Sequence, residues 1–135
     1  MNGVACFRRM ANYNAWANQH ILDACAGLEA GELTAPRAAF FPSIIKTLNH
    51  LLVADRLWLG RLVGVPERLA LDAVLYAGFS EFRTARKAQD AKIIAFTEQL
   101  DADTLASVGH QISCENIIKL FQSGNRPELM RKSPQ

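Results

Sequence analysis

The feature that most constrains the fold is the helical spacing of apolar residues from the start of the chain. Apolar or small side chains recur in steps of three and four, which is the pattern of an amphipathic helix packing along one face. The stripe consists of Phe7, Met10, Asn14, Ala17, Ile21, Ala24 and Leu28. This spacing predicts a first helix over about residues 4 to 27, ending near Gly27.

Two further stretches show the same period. Pro42 suits the first turn of a second helix that runs to about Val63, because proline lacks the amide proton that a first turn leaves unbonded. The apolar stripe of this helix is Ile44, Ile45, Leu48, Leu51, Leu52, Leu59 and Leu62. Asp55 falls within that stripe, so we expect a buried partner for its carboxylate: an arginine, a tyrosine or tryptophan donor, or a protonated histidine.

A third helix is predicted over about residues 80 to 100, with Ser80 as its N-cap. The face on which this helix is expected to pack consists of Phe79, Phe82, Arg86, Gln89, Ile93, Phe96 and Leu100. The stretch from Gly64 to Gly78 has little periodicity, which predicts a long crossover connection of the kind found in helical bundles.

The rest of the chain predicts only a short last helix. Residues 101–105 indicate a turn and a restart, and residues 109–113 look irregular. Ser113 suits the N-cap of a short helix that ends at Gly124. No strand-like alternation is sustained, so we predict one all-α domain over residues 1–135: a bundle of three long helices and a short C-terminal fourth.

Composition excludes several classes of protein. The net charge of +2 comes from acidic and basic residues mixed along the chain, which is not the footprint of a nucleic-acid-binding protein. A membrane-spanning helix needs about 18 consecutive apolar residues, and no stretch of this sequence is that long. We therefore expect a cytoplasmic protein that enters no membrane. Cys6, Cys25 and Cys114 form no CxxC pair and are expected to be reduced. Cys6 and Cys25 are further expected to be buried and inert.

Three runs of sequence together resemble the DinB family of small bacterial four-helix proteins. They are YNAWAN at residues 13–18, FFPSIIKTLNHLLVADRLWLGRL at residues 40–62, and AGFSEFRTARKAQDAKIIAFTEQLDADTL at residues 77–105. The resemblance covers about residues 5–105 and implies a DinB-like helical bundle. The family name refers to damage-inducible expression, which gives no reason to expect DNA binding.

The resemblance also implies a metal site. In the family, a histidine on the second helix and an HxxxH pair on the last helix bind a divalent cation such as zinc or nickel, and His50 in LNHLLVAD matches the second-helix ligand. Residues 109–135 depart from the family pattern: they contain His110 alone and no HxxxH pair. An incomplete metal site is therefore expected, because three protein ligands are the usual minimum for an open site.

Each histidine also has a structural interpretation. His50 lies about 160° around the helix from the centre of the leucine stripe, which is typical of a surface or interface histidine. His20 follows Trp16 by one turn and is expected to pack its ring on that aromatic side chain, although it is also weighed as a substitute ligand. His110 is a candidate partner of His50, with a carboxylate, in a site unlike that of the family.

The sequence is compatible with two classes of function. The first is a divalent-metal-dependent enzyme similar to the thiol-dependent transferases of the family, in which the metal holds a thiol for attack on a small electrophilic substrate. His50 would then be one ligand, and His110, water or a partner chain would supply the others. The second is a non-catalytic scaffold that has lost metal binding. A short fourth helix leaves apolar faces exposed, so we expect a homodimer formed through those faces or by exchange of the 113–122 helix.

Overall fold

The computed structural model describes residues 3–29 and 31–109. It contains four helices: α1 (Gly3–Ala26), α2 (Ile44–Val63), α3 (Phe79–Glu98) and α4 (Ala102–Gly109). The described residues form no strand, so the predicted all-α class is confirmed. The restart predicted after Asp101 is α4, whereas the helix predicted from Ser113 lies outside the described residues.

The chain divides into two compact units, Met1–Gln99 and Leu100–Gln135. The first contains α1, α2 and α3, and α3 packs against both of the others. Hydrogen bonds near the two ends of α1 show that α1 and α3 are antiparallel. The Arg8 guanidinium donates to the carbonyls of Thr97 and Glu98, while Asp23 accepts from Arg83.

Phe82 of α3 is fully buried in the core of the first unit. The core cluster around it takes side chains from the other two long helices, α1 and α2: Leu22, Cys25, Ile45, Leu48 and Leu52. The predicted α3 face is confirmed at Phe82, Arg86 and Gln89, which are all buried. The α2 stripe is confirmed at Ile45, Leu48 and Leu52, but Leu51 is 45% exposed.

The face predicted for α1 is wrong by one residue. Met10, Ile21 and Leu28 are exposed, and the buried side chains are Ala11, Leu22 and Cys25. A shift of one position turns a helix by about 100°. The physical reason is that the inner face of α1 carries amides that donate to a buried carboxylate of α3. Asn14 belongs to the predicted stripe, but Asn18 occupies a position that an apolar pattern assigns to the outside.

Two predicted helix starts also need correction. Helix α2 begins at Ile44 and Pro42 lies before it, because Ser43 is the N-cap and its hydroxyl accepts from the Lys46 amide at 3.2 Å. Helix α3 begins at Phe79 with Gly78 as its N-cap and without a side-chain cap, so Ser80 lies inside the first turn.

The connection between α2 and α3 starts with a sharp turn at two glycines. Gly64 ends α2 in the left-handed region at φ 78°, which glycine adopts without a steric penalty. The chain then folds back over Gly60, where a Cβ would lie 2.8 Å from the Val65 carbonyl oxygen. The segment that follows, as predicted, has neither helix nor strand as far as Gly78. None of the described helices is long and apolar enough to cross a membrane.

Candidate functional site

His50 lies on α2, half-buried between two connecting segments. Its Nδ1 is 2.8 Å from the carbonyl oxygen of Leu71. Because a carbonyl oxygen only accepts, Nδ1 carries the proton, and in the neutral ring the lone pair is on Nε2. The imidazole also stacks on Phe41, with ring centroids 4.3 Å apart and planes inclined by 27°. These two contacts fix both the tautomer and the orientation of the ring.

The neighbouring residue, Asn49, holds the Leu71 segment in place. Its amide is fully buried, donates to the carbonyls of Ile45 and Tyr76, and accepts from the Tyr76 amide at 3.0 Å. The connection between α2 and α3 is therefore attached to α2 at Leu71 and at Tyr76 by consecutive residues. His50 owes its fixed position to this attachment.

The described residues do not complete a metal site around His50. Among them there is no group of three histidine, cysteine, aspartate or glutamate side chains that could hold a metal ion. His110, which the sequence offers as a second ligand, lies outside the described residues. Within the described part of the chain, His50 Nε2 makes no hydrogen bond. His50 therefore offers one unprotonated ring nitrogen as a metal ligand.

His20 packs on Trp16, as the sequence predicts. The two ring centroids are 4.1 Å apart, and His20 Nδ1 is 2.9 Å from the Trp16 carbonyl oxygen. This carbonyl belongs to the preceding turn of the same helix, and the histidine is exposed. His20 thus has the same hydrogen-bond pattern as His50 without its burial between segments, which makes it a matched control for His50.

A second polar group joins the three long helices. Arg86 of α3 is 3% exposed and donates to Asp55 of α2 at 2.5 Å and to Asp90 of α3 at 2.6 Å. Asn18 of α1 donates to both oxygens of Asp90 at 3.1 Å, and Asn14 adds a longer contact at 3.5 Å. We refer to these five residues as the buried polar cluster.

Burial has the largest effect on the pKa of Asp90. Desolvation raises the pKa of its carboxyl, and the ion pair with Arg86 and the Asn18 hydrogen bond lower it by less. The charge of Asp55 is a further, smaller influence that raises the pKa of Asp90. Two carboxylates share one guanidinium, so the cluster carries one excess negative charge when both aspartates are ionised.

The sequence revealed part of this cluster. The expectation of a buried partner for Asp55 is confirmed, and the partner is Arg86. Asp90 and Asn18 were missed. The available signals were the four-residue spacing of Arg86 and Asp90 on one helix and the asparagines of the YNAWAN run, which lie on the side of α1 that faces α3.

Of the cysteines in the described part of the chain, Cys25 is not an activated thiol. Cys25 is buried, and burial raises the pKa of its thiol, which disfavours the nucleophilic thiolate. This agrees with the expected inert role. Cys6 is exposed, so the expectation that it is buried is wrong, and Cys114 lies outside the described residues.

The sequence is similar to that of a known protein family. The family model described as the DinB family matches residues 1–115, which extends beyond the region of resemblance at both ends. Neither the curated proteins nor the solved structures gave a match.

Proposed function

Because this chain belongs to the DinB family, we propose that His50 supplies one ligand, through Nε2, to a divalent metal ion such as zinc or nickel. The observation that carries the proposal is the hydrogen bond from Nδ1 to the Leu71 carbonyl. Histidines that bind metals commonly donate their other ring N–H to a carbonyl or carboxylate, which fixes the tautomer and makes the free nitrogen more basic.

Further ligands must come from outside the described residues. Three protein ligands are usual for a catalytic zinc ion, and the described residues supply one at this position. We propose His110 as the next ligand, with water or a second copy of the chain completing the set. The activity class that accompanies this proposal is a metal-dependent enzyme similar to thiol-dependent transferases, acting on a small electrophile.

Metal content after dialysis against zinc or nickel tests the proposal. We expect about one metal ion per chain or per dimer by elemental analysis, lost in His50→Ala and retained in His20→Ala. His50→Asn is a second variant, because its amide nitrogen lies at about the position of Nδ1 and keeps an N–H donor for the Leu71 carbonyl, while the amide binds metal poorly. Equal metal content in wild type, His50→Asn and His20→Ala would overturn the proposal.

A non-catalytic scaffold is the second candidate function. Two observations favour it: the described residues lack a three-ligand group, and both contacts of the His50 ring are structural. On this alternative His50 fastens the connection between α2 and α3. His50→Ala would then lower the free energy of unfolding and change no metal content.

A further inference from the structure

Helix α1 presents a row of exposed side chains on the side away from the core. The row consists of Arg9, Tyr13, Trp16, His20 and Asp23, at steps of four, three, four and three residues. This spacing is that of a helix-to-helix contact in a coiled coil. All five residues are exposed, and the row lies about 160° around the helix from the buried Ala11, Leu22 and Cys25. We call it the outer stripe of α1.

The centre of the outer stripe is aromatic, and its rings pack against one another. Tyr13 and Trp16 have ring centroids 5.7 Å apart, and Trp16 contacts His20 at 4.1 Å. Tyr13 is 66% exposed and Trp16 is 56% exposed. Large aromatic side chains that are already held against one another lose little entropy on binding, and such residues dominate protein interfaces.

The charges of the outer stripe are arranged symmetrically about its centre. Arg9 lies seven residues before Trp16 and Asp23 lies seven residues after it. Seven residues are about two helical turns, so both charges stay on the side of Trp16. If a second α1 lies antiparallel across a twofold axis at Trp16, each Arg9 meets Asp23 of the other copy. A parallel arrangement would place like charges together.

We propose that the outer stripe of α1 is a homodimer interface in which two copies of this chain pack antiparallel about Trp16. A twofold interface requires a surface that is complementary to itself, and the outer stripe has that property in its charges at Arg9 and Asp23. Asp23 is able to take part, because its carboxylate is 59% exposed and its contacts with Gln19 and Arg83 both use Oδ1. The homodimer expected from the sequence thereby gains a defined surface, and this inference does not depend on metal binding at His50.

Sedimentation equilibrium of the full chain and its charge-reversal variants tests the interface. Arg9→Glu and Asp23→Arg should each raise the dimer Kd by about tenfold or more, since each dimer then holds two like-charge contacts. An equimolar mixture of the two variants should recover dimers close to wild-type affinity. In the mixed dimer, the introduced glutamate meets the introduced arginine, while the native aspartate meets the native arginine.

Two substitutions control for indirect effects. Trp16→Ala should raise the dimer Kd by about 30-fold, whereas Trp58→Ala on α2 should leave it unchanged. Arg83→Gln should also leave the Kd unchanged, which separates the contact of Asp23 within its own chain from its contact across the dimer. Circular dichroism of each variant verifies that its helix content is retained.

A wild-type chain that stays monomeric at about 100 µM would overturn the proposal. So would a dimer that is indifferent to Trp16→Ala, or a mixture of the charge variants that associates no better than either variant alone. The last result would show that the charges act within one chain.

Discussion

At the level of single residues, Arg86 carries a buried positive charge between two carboxylates on different helices. Removing one member of a buried ion pair costs about 3–5 kcal/mol, because the remaining charge is left without compensation. We therefore expect Arg86→Gln to lower the free energy of unfolding by about that amount in urea titrations.

Arg83→Gln provides the matched control for this prediction. Arg83 lies on α3, as Arg86 does, and pairs with Asp23 of α1 at 3.0 Å, but the two side chains are 33% and 59% exposed. Exposed pairs contribute about 0–1 kcal/mol. Similar losses in the two variants would show that Arg86 does not join the helices as described.

Asp90 should make the free energy of unfolding depend on pH. Its pKa in the folded chain is raised by burial, so the folded state holds this proton more tightly than the unfolded state does. The stabilising contribution is then fully present below the ordinary aspartate pKa of about 4 and is lost as the pH rises through the folded value. Asp90→Asn removes this loss.

The free energies of unfolding of wild type and Asp90→Asn at pH 4 and pH 7 measure the effect. We expect the change from pH 4 to pH 7 to be more favourable in Asp90→Asn than in wild type, since all other groups titrate in both proteins. A less favourable change in the variant would mean that Arg86 outweighs burial and that the folded pKa of Asp90 is lowered.

At the level of helices, the start of α2 depends on one hydroxyl. Ser43 is buried and its Oγ accepts from the Lys46 amide, so Ser43→Ala should destabilise the protein by about 1 kcal/mol. Ser80→Ala should change stability by less than about 0.5 kcal/mol, because α3 begins before Ser80. Thermal unfolding of the two variants checks this prediction, and a larger loss in Ser80→Ala would restore Ser80 as the cap.

The three long helices were predictable from sequence because each repeats its apolar residues over about five turns. The inner face of α1 was not, since the period alone does not show that Asn18 meets a carboxylate 72 positions later in the chain. The same limit applies to helix starts. Pro42, Ser43 and Ser80 are all acceptable near an N-terminus, and only the backbone shows which residue caps.

At the level of the whole molecule, His50 was the one residue of the candidate metal site that the sequence predicted among the described residues. The resemblance to the DinB family identified His50, and the helical period placed it away from the leucine stripe. The contacts that fix its ring come from Phe41 and Leu71, which lie in segments without regular structure. No periodic pattern in those segments indicates that they converge on one imidazole.

We propose that His50 presents an unprotonated Nε2 to a metal ion because the Leu71 carbonyl holds the proton on Nδ1. Nitrogen-15 NMR of the imidazole side chains, recorded with and without zinc, is the decisive measurement. We expect the His50 ring to be protonated at Nδ1 in the neutral protein and its Nε2 resonance to shift on addition of zinc, with His20 Nε2 unaffected. A His50 ring protonated at Nε2, or an Nε2 signal that zinc leaves unchanged, would contradict the claim.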